Sequence, residues 1–175
     1  MFEGYFMEEK YNRTQVVLHW VSAIVIIWGT ISGFTVALFD AAAAHKEWVG
    51  FVNVSLTTLF IPVFIFRLWW AKRSGKPKDN LLTPREQRLS LIGHRLIYIN
   101  ITLVMITGVL MMERDINVFN WISFARPLHD PVITGLFNQL HKFSCATLGL
   151  LVAGHILAVV KHHHKGRNLL RRMSW

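Results

Sequence analysis

At 175 residues the chain is one domain, and 53% hydrophobic residues with 7 Trp tilt its class towards the membrane. The formal charge of +9 would suit a nucleic-acid partner, but its distribution excludes that reading, as shown below. A lone cysteine, Cys145, rules out an intramolecular disulfide and any cysteine-based metal cluster.

Four stretches, about 16–39, 48–71, 89–112 and 137–160, each approach or exceed the ~20 apolar residues that span a bilayer as a helix. None contains Asp or Glu. The expected fold is all-α: an integral membrane four-helix bundle filling residues 1–175 as a single domain. The first stretch is long and lacks a small-residue cleavage site, so it reads as a retained helix rather than a signal peptide. Its polar start holds His19 and Trp20, and Gly29 and Gly33 follow. The first connection, 40–47, is short and Ala-rich and carries His45 and Lys46. Pro62 lies inside the second span, where neighbouring helices can satisfy the freed carbonyl. The second connection is polar, and Thr83-Pro84-Arg85-Glu86 has the form of a helix start with Thr83 as N-cap. The third connection, about 113–136, mixes aromatic and basic residues and is expected to lie flat and cap the bundle. Trp20, Trp28, Trp48, Trp69, Trp70, Trp121 and Trp175 fall mostly near span ends, as an aromatic belt would.

Charge sets the orientation. Fifteen of the 19 Lys and Arg, Lys78 among them, precede the first span, lie around the second connection or follow the fourth span. Lys46, Arg114, Arg126 and Lys142 alone fall on the other side. Cytoplasmic segments of membrane proteins carry such a surplus, so both termini are expected in the cytoplasm. The basic excess is topology.

The fourth span carries His141 and His155, fourteen residues apart. At about 100° and 1.5 Å per residue they share one helix face within roughly 40° and stand about 21 Å apart. Ionisable groups at such depth are costly and usually functional. Two imidazoles stacked this way suit two b-type hemes, each needing a ligand from another helix. His19 lies at the depth of His155, so the two can face each other across one heme. Gly29, Gly33, Gly149 and Gly154 would admit a flat macrocycle or merely allow close helix packing. His94, after Gly93, could ligate, donate to a propionate or move protons. His162, His163 and His164 sit in a basic run where a lipid-facing anchor is the ordinary role. His129 reads as solvated.

Taken in order, several segments carry a resemblance. They are Tyr11-Asn12-Arg13-Thr14-Gln15 leading into His19-Trp20, Arg67-Leu68-Trp69-Trp70, and Gly93-His94-Arg95-Leu96-Ile97-Tyr98. Gly108-Val109-Leu110-Met111-Met112, His141, His155 and Lys161-His162-His163 complete the set. From Lys10 onward the chain resembles the bacterial cytochrome b561 family, diheme membrane proteins related to the cytochrome b subunits of hydrogenases and formate dehydrogenases. The resemblance implies that His19 and His155 ligate a cytoplasmic-side heme. It also implies that His141 ligates an external heme, together with a second-helix His fourteen residues before Arg67. That position holds Asn53. Three outcomes follow: His45 substitutes, the external heme is five-coordinate on His141, or it is absent.

The function expected is a b-type cytochrome of the bacterial inner membrane that binds one or two hemes and moves electrons between the external face and the quinone pool. Superoxide is a candidate donor, since one family member oxidises it. Arg114, Arg126 and Lys142, with Lys46 and His129, could draw in a small anion, or could bind propionates or phospholipid. The competing class is a heme-bearing anchor that relays electrons for a partner dehydrogenase or soluble cytochrome.

Overall fold

The computed structural model describes residues 10–39, 42–77 and 81–174; Lys78, Trp175 and residues 40–41 of the first connection lie outside them. Among the described residues, four helices are long and apolar enough to cross a membrane. Helix α1 is Arg13–Leu38, α2 Ala43–Ser74, α3 Pro84–Leu110 and α4 Pro131–His164. All four start before the expected spans, and α2 and α4 also run past their ends, because hydropathy reads only the part in hydrocarbon while capping residues set the true termini. Asn12 and Gln15 form a reciprocal capping box at the start of α1. Thr83 and Glu86 do the same for α3, with Pro84 at the first position as expected. Asp130 accepts from the Val132 and Ile133 amides, so α4 begins at Pro131, six residues before the expected span. Gly75 and Gly166, at φ +68 and +76, turn the chain beyond α2 and α4. Helix α2 runs unbroken through Pro62.

Helix α1 packs along α2, and α3 along α4, while α1 and α4 meet more sparingly. The bundle is therefore two helical hairpins facing each other. They touch through a mid-height core of Phe60, Phe64, Ile101 and Leu148, onto which Val25, Ile26 and Val152 pack. This core draws on all four helices and leaves interior space above and below it.

One end of the bundle gathers the segment before α1, the segment after α4 and the described part of the α2–α3 connection. The Tyr11 amide donates to the Arg172 carbonyl at 3.2 Å, and Trp20 Nε1 donates to the Met173 carbonyl at 2.9 Å. Gln15 Nε2 donates to the Gly75 carbonyl at 2.9 Å, and Arg167 pairs with Glu86 at 2.7 Å. The basic excess belongs to this terminal end.

The opposite end corrects the expected third connection, which is shorter and contains strands. Strands β1 (Ile116–Val118) and β2 (Ile122–Phe124) pair antiparallel. Their connection puts both Phe119 and Asn120 at positive φ, as the central pair of a type I′ turn requires, and the Trp121 N–H donates to the Val118 carbonyl at 2.9 Å. Buried Ser55 of α2 accepts the Phe119 N–H at 3.0 Å and donates to the Asn117 carbonyl at 3.2 Å. Each bond contributes about 0.5–1.5 kcal/mol. The β1 side, with Ile116 and Val118 buried against Met112, caps the bundle, whereas β2 is exposed. Nothing in the hydrophobic periodicity announces so short a hairpin.

Candidate functional site

The two hairpins enclose a cavity on either side of the mid-height core, and the two differ sharply. The terminal-end cavity, of about 520 Å³, is lined by His19, His94, His155 and His162 from three helices. Gly93 and Gly154 stand on its wall, and a Cβ added at either would meet nothing within 4 Å. A second space of about 370 Å³ shares His19 and His94 and is bordered by Arg67 and Gln15.

His94 and His155 approach from neighbouring helices of one hairpin, their rings edge to face at 5.2 Å. The His94 Nδ1 lies 2.6 Å from the Ser90 carbonyl, so Nδ1 carries the proton and Nε2 keeps its lone pair. His19 enters from the opposite hairpin. Its Nδ1 stands 3.3 Å from Nη2 of Arg67, which can only donate, so this arrangement leaves the proton on Nε2. Arg67 also sits over the Tyr98 ring, 5.3 Å from its centroid.

His162 is the residue that sequence reasoning missed. It turns inwards to line the cavity, while His163 and His164 are exposed. Its Nδ1 is buried without a hydrogen-bond partner. The signal was present: His162 follows His155 by seven residues, two turns along the same face.

These residues fit a planar macrocycle bearing acid groups. Two imidazoles from opposite hairpins are available for the axial positions, and the glycines leave room at the wall. Arg67, Lys161 and the unpartnered His162 are available for carboxylates. Among the described residues no group of three or more His, Cys, Asp or Glu could hold a metal ion. A bare metal thus lacks a cage here, whereas iron that arrives in its own ring needs only two further ligands.

The hairpin-end cavity is smaller, about 160 Å³, and His141 is its one lining imidazole. The His141 Nδ1 lies 3.1 Å from the Val104 carbonyl and 3.2 Å from Thr107 Oγ1. Its Cε1 lies 3.1 Å from where a Cβ on Gly108 would stand, so any larger residue there would crowd the ring by a few tenths of an ångström. Its Nε2 meets Cys145 Sγ at 3.4 Å. Across the cavity stands Asn53, whose side chain is 3.0 Å from the Ser32 hydroxyl.

The remaining candidates stay apart. His45 is exposed in the first turn of α2, beside Trp48 with ring centroids 6.5 Å apart, and does not line the His141 cavity. Arg126 is bound into its own loop, donating to the Glu113 carbonyl at 2.8 Å. Arg114 shares a surface groove with Glu47 and Asp115. Lys142 and His129 are exposed.

A sequence model described as prokaryotic cytochrome b561 matches residues 10–175, nearly the whole chain. With four apolar helices long enough to span a bilayer, the chain is a multi-pass inner-membrane electron-transfer protein that belongs to the prokaryotic cytochrome b561 family.

Proposed function

We propose that this chain is a b-type cytochrome that exchanges electrons with the membrane quinone pool, holding heme b in the terminal-end cavity between His19 and His155. The meeting of His19, His94 and His155 in one glycine-walled cavity carries this reading. Bound there, heme would supply a reversible one-electron centre, and two imidazoles holding it would favour electron transfer over oxygen binding.

The chain's own residues do the rest. His155 and His19 come from opposite hairpins and so present imidazoles to opposite faces of the site. His94, fixed by the Ser90 carbonyl, packs against the His155 ring and limits its rotation. Arg67, Lys161 and His162 suit the acid groups at the cavity margin. Leu150, Leu151, Ile97 and Val159 supply an apolar wall that keeps water from the centre. Arg114, Arg126 and Lys142 do not converge, and acids share the groove of Arg114, so a focused anion funnel for superoxide lacks support.

The test is direct reoxidation. Purified protein, reduced with dithionite and mixed anaerobically with a short-chain quinone, is expected to lose its reduced heme absorbance within the mixing experiment. A reduced spectrum that persists would remove the quinone as partner.

The terminal end is proposed to face the cytoplasm, because the basic surplus gathers there. A reporter active only outside the cytoplasm should be silent when fused after Trp175 and active when inserted after Ser123. The reverse pattern would invert the topology.

A further inference from the structure

The two cavities are unequal in a way that bears on how many hemes one chain holds. At the terminal end, imidazoles reach the space from both hairpins: His19 from α1, and His94 and His155 from α3 and α4. At the hairpin end, one imidazole lines a space less than a third as large. The α1 and α2 residues that face it include Asn53, Thr57, Thr30 and Trp28, and none is a histidine or a methionine.

A heme held between two hairpins needs an axial ligand from at least one side and room for the ring. The room is small, and His141 reaches it from the α3–α4 hairpin with no imidazole or thioether opposite. Its ring lies flush against Gly108 of α3, and its Nδ1 is engaged by the Val104 carbonyl. Its Nε2, the nitrogen left for a metal, faces the Cys145 thiol one turn along the same helix. Met105, Met111 and Met112 also line this cavity, and thioether sulfur is a competent heme ligand. They belong to α3 and its C-terminal turn, the side against which His141 leans. No thioether stands across from His141. The amide of Asn53 does, held by Ser32, which is itself hydrogen-bonded to the Trp28 carbonyl at 2.7 Å.

We infer that one chain binds a single heme, at the terminal end, and that the His141 cavity carries none. His141 then serves packing, clamping α4 to α3 through Val104 and Gly108. With the centre confined to one half of the bundle, electron exchange is with partners that reach that half. This rests on the heme reading proposed above, and the two fail differently.

Heme and polypeptide are measured on the same purified full-length protein, by pyridine hemochrome and amino-acid analysis. The expected ratio is one heme per chain, with one low-spin ferric resonance and no species that binds carbon monoxide. A ratio of two overturns the inference while leaving the heme reading intact, whether the second centre is low-spin or open. A ratio of zero overturns both. Two variants add a check independent of stoichiometry. His141→Gln is expected to keep the heme content and spectrum of the parent chain, judged on protein that remains monodisperse in detergent. Cys145→Ser, which retains volume beside the same Nε2, is expected to be equally silent. A selective loss or shift of a heme signal in either variant would overturn the assignment.

Discussion

His155→Ala is expected to remove the low-spin heme from the protein, and His19→Ala to do the same. The two imidazoles come from opposite hairpins, so each is the proposed ligand on its own face of the site. A ring held on one side leaves an open iron position and loses the second anchoring bond. The loss should therefore be near complete in the low-spin signal, with any residual heme high-spin and readily lost to detergent. His94→Ala is the informative contrast. Its ring stands beside His155, on the same hairpin, edge to face at 5.2 Å. It cannot present an imidazole from the opposite face while His155 holds its place. That variant should retain heme with a shifted spectrum, since the His155 ring loses its neighbour. Visible and electron paramagnetic resonance spectra of the three variants, at matched polypeptide, check the assignment. Unchanged low-spin heme in His19→Ala, with loss in His94→Ala, would reassign the axial pair to His94 and His155.

Much of this arrangement is legible in the amino-acid sequence. The bundle follows from four apolar stretches free of acids, and its paired ends from the uneven basic residues. His19 and His155 line one cavity because helices of fixed rise preserve depth: residues equally far from the same end come level when their helices run side by side. The cap at Thr83-Pro84-Arg85-Glu86 could be read because its four residues are chemically sufficient on their own. The β-hairpin could not. Its register depends on Ser55, more than sixty residues earlier, and on a Phe119-Asn120 turn lacking the glycine that usually marks this geometry. His162 escaped for a different reason. A basic run after a span ordinarily meets lipid headgroups, and that composition signal masked the seven-residue step from His155. Asn53 shows the converse. Its identity raised the question of the second heme, yet only the position of His141 against Gly108 and Cys145 allows an answer to be proposed.

Arg67→Gln is expected to lower the heme midpoint potential by tens of millivolts. The guanidinium is partly buried, within 3.3 Å of His19 Nδ1 and over the Tyr98 ring, and no acidic residue lines the space it borders. Its charge therefore favours the reduced state, which carries one more electron. A unit charge some 8–16 Å away at an effective dielectric of about 20 interacts by about 1–2 kcal/mol. For a one-electron couple that is on the order of 45–90 mV, since 59 mV corresponds to a tenfold change in equilibrium constant. A second effect runs through the proton. Were His19 to ligate through Nε2, its proton would sit on Nδ1, and Arg67, unable to donate there, would be released towards an acid group. Neutralising that acid group would reduce the electrostatic shift but not reverse its sign. Arg67→Lys keeps the charge without the planar fork, and should hold the potential near that of the parent chain while weakening heme retention. Redox titration of both variants separates the contributions. A potential in Arg67→Gln equal to or above that of the parent would show that the guanidinium does not act on the centre through its charge.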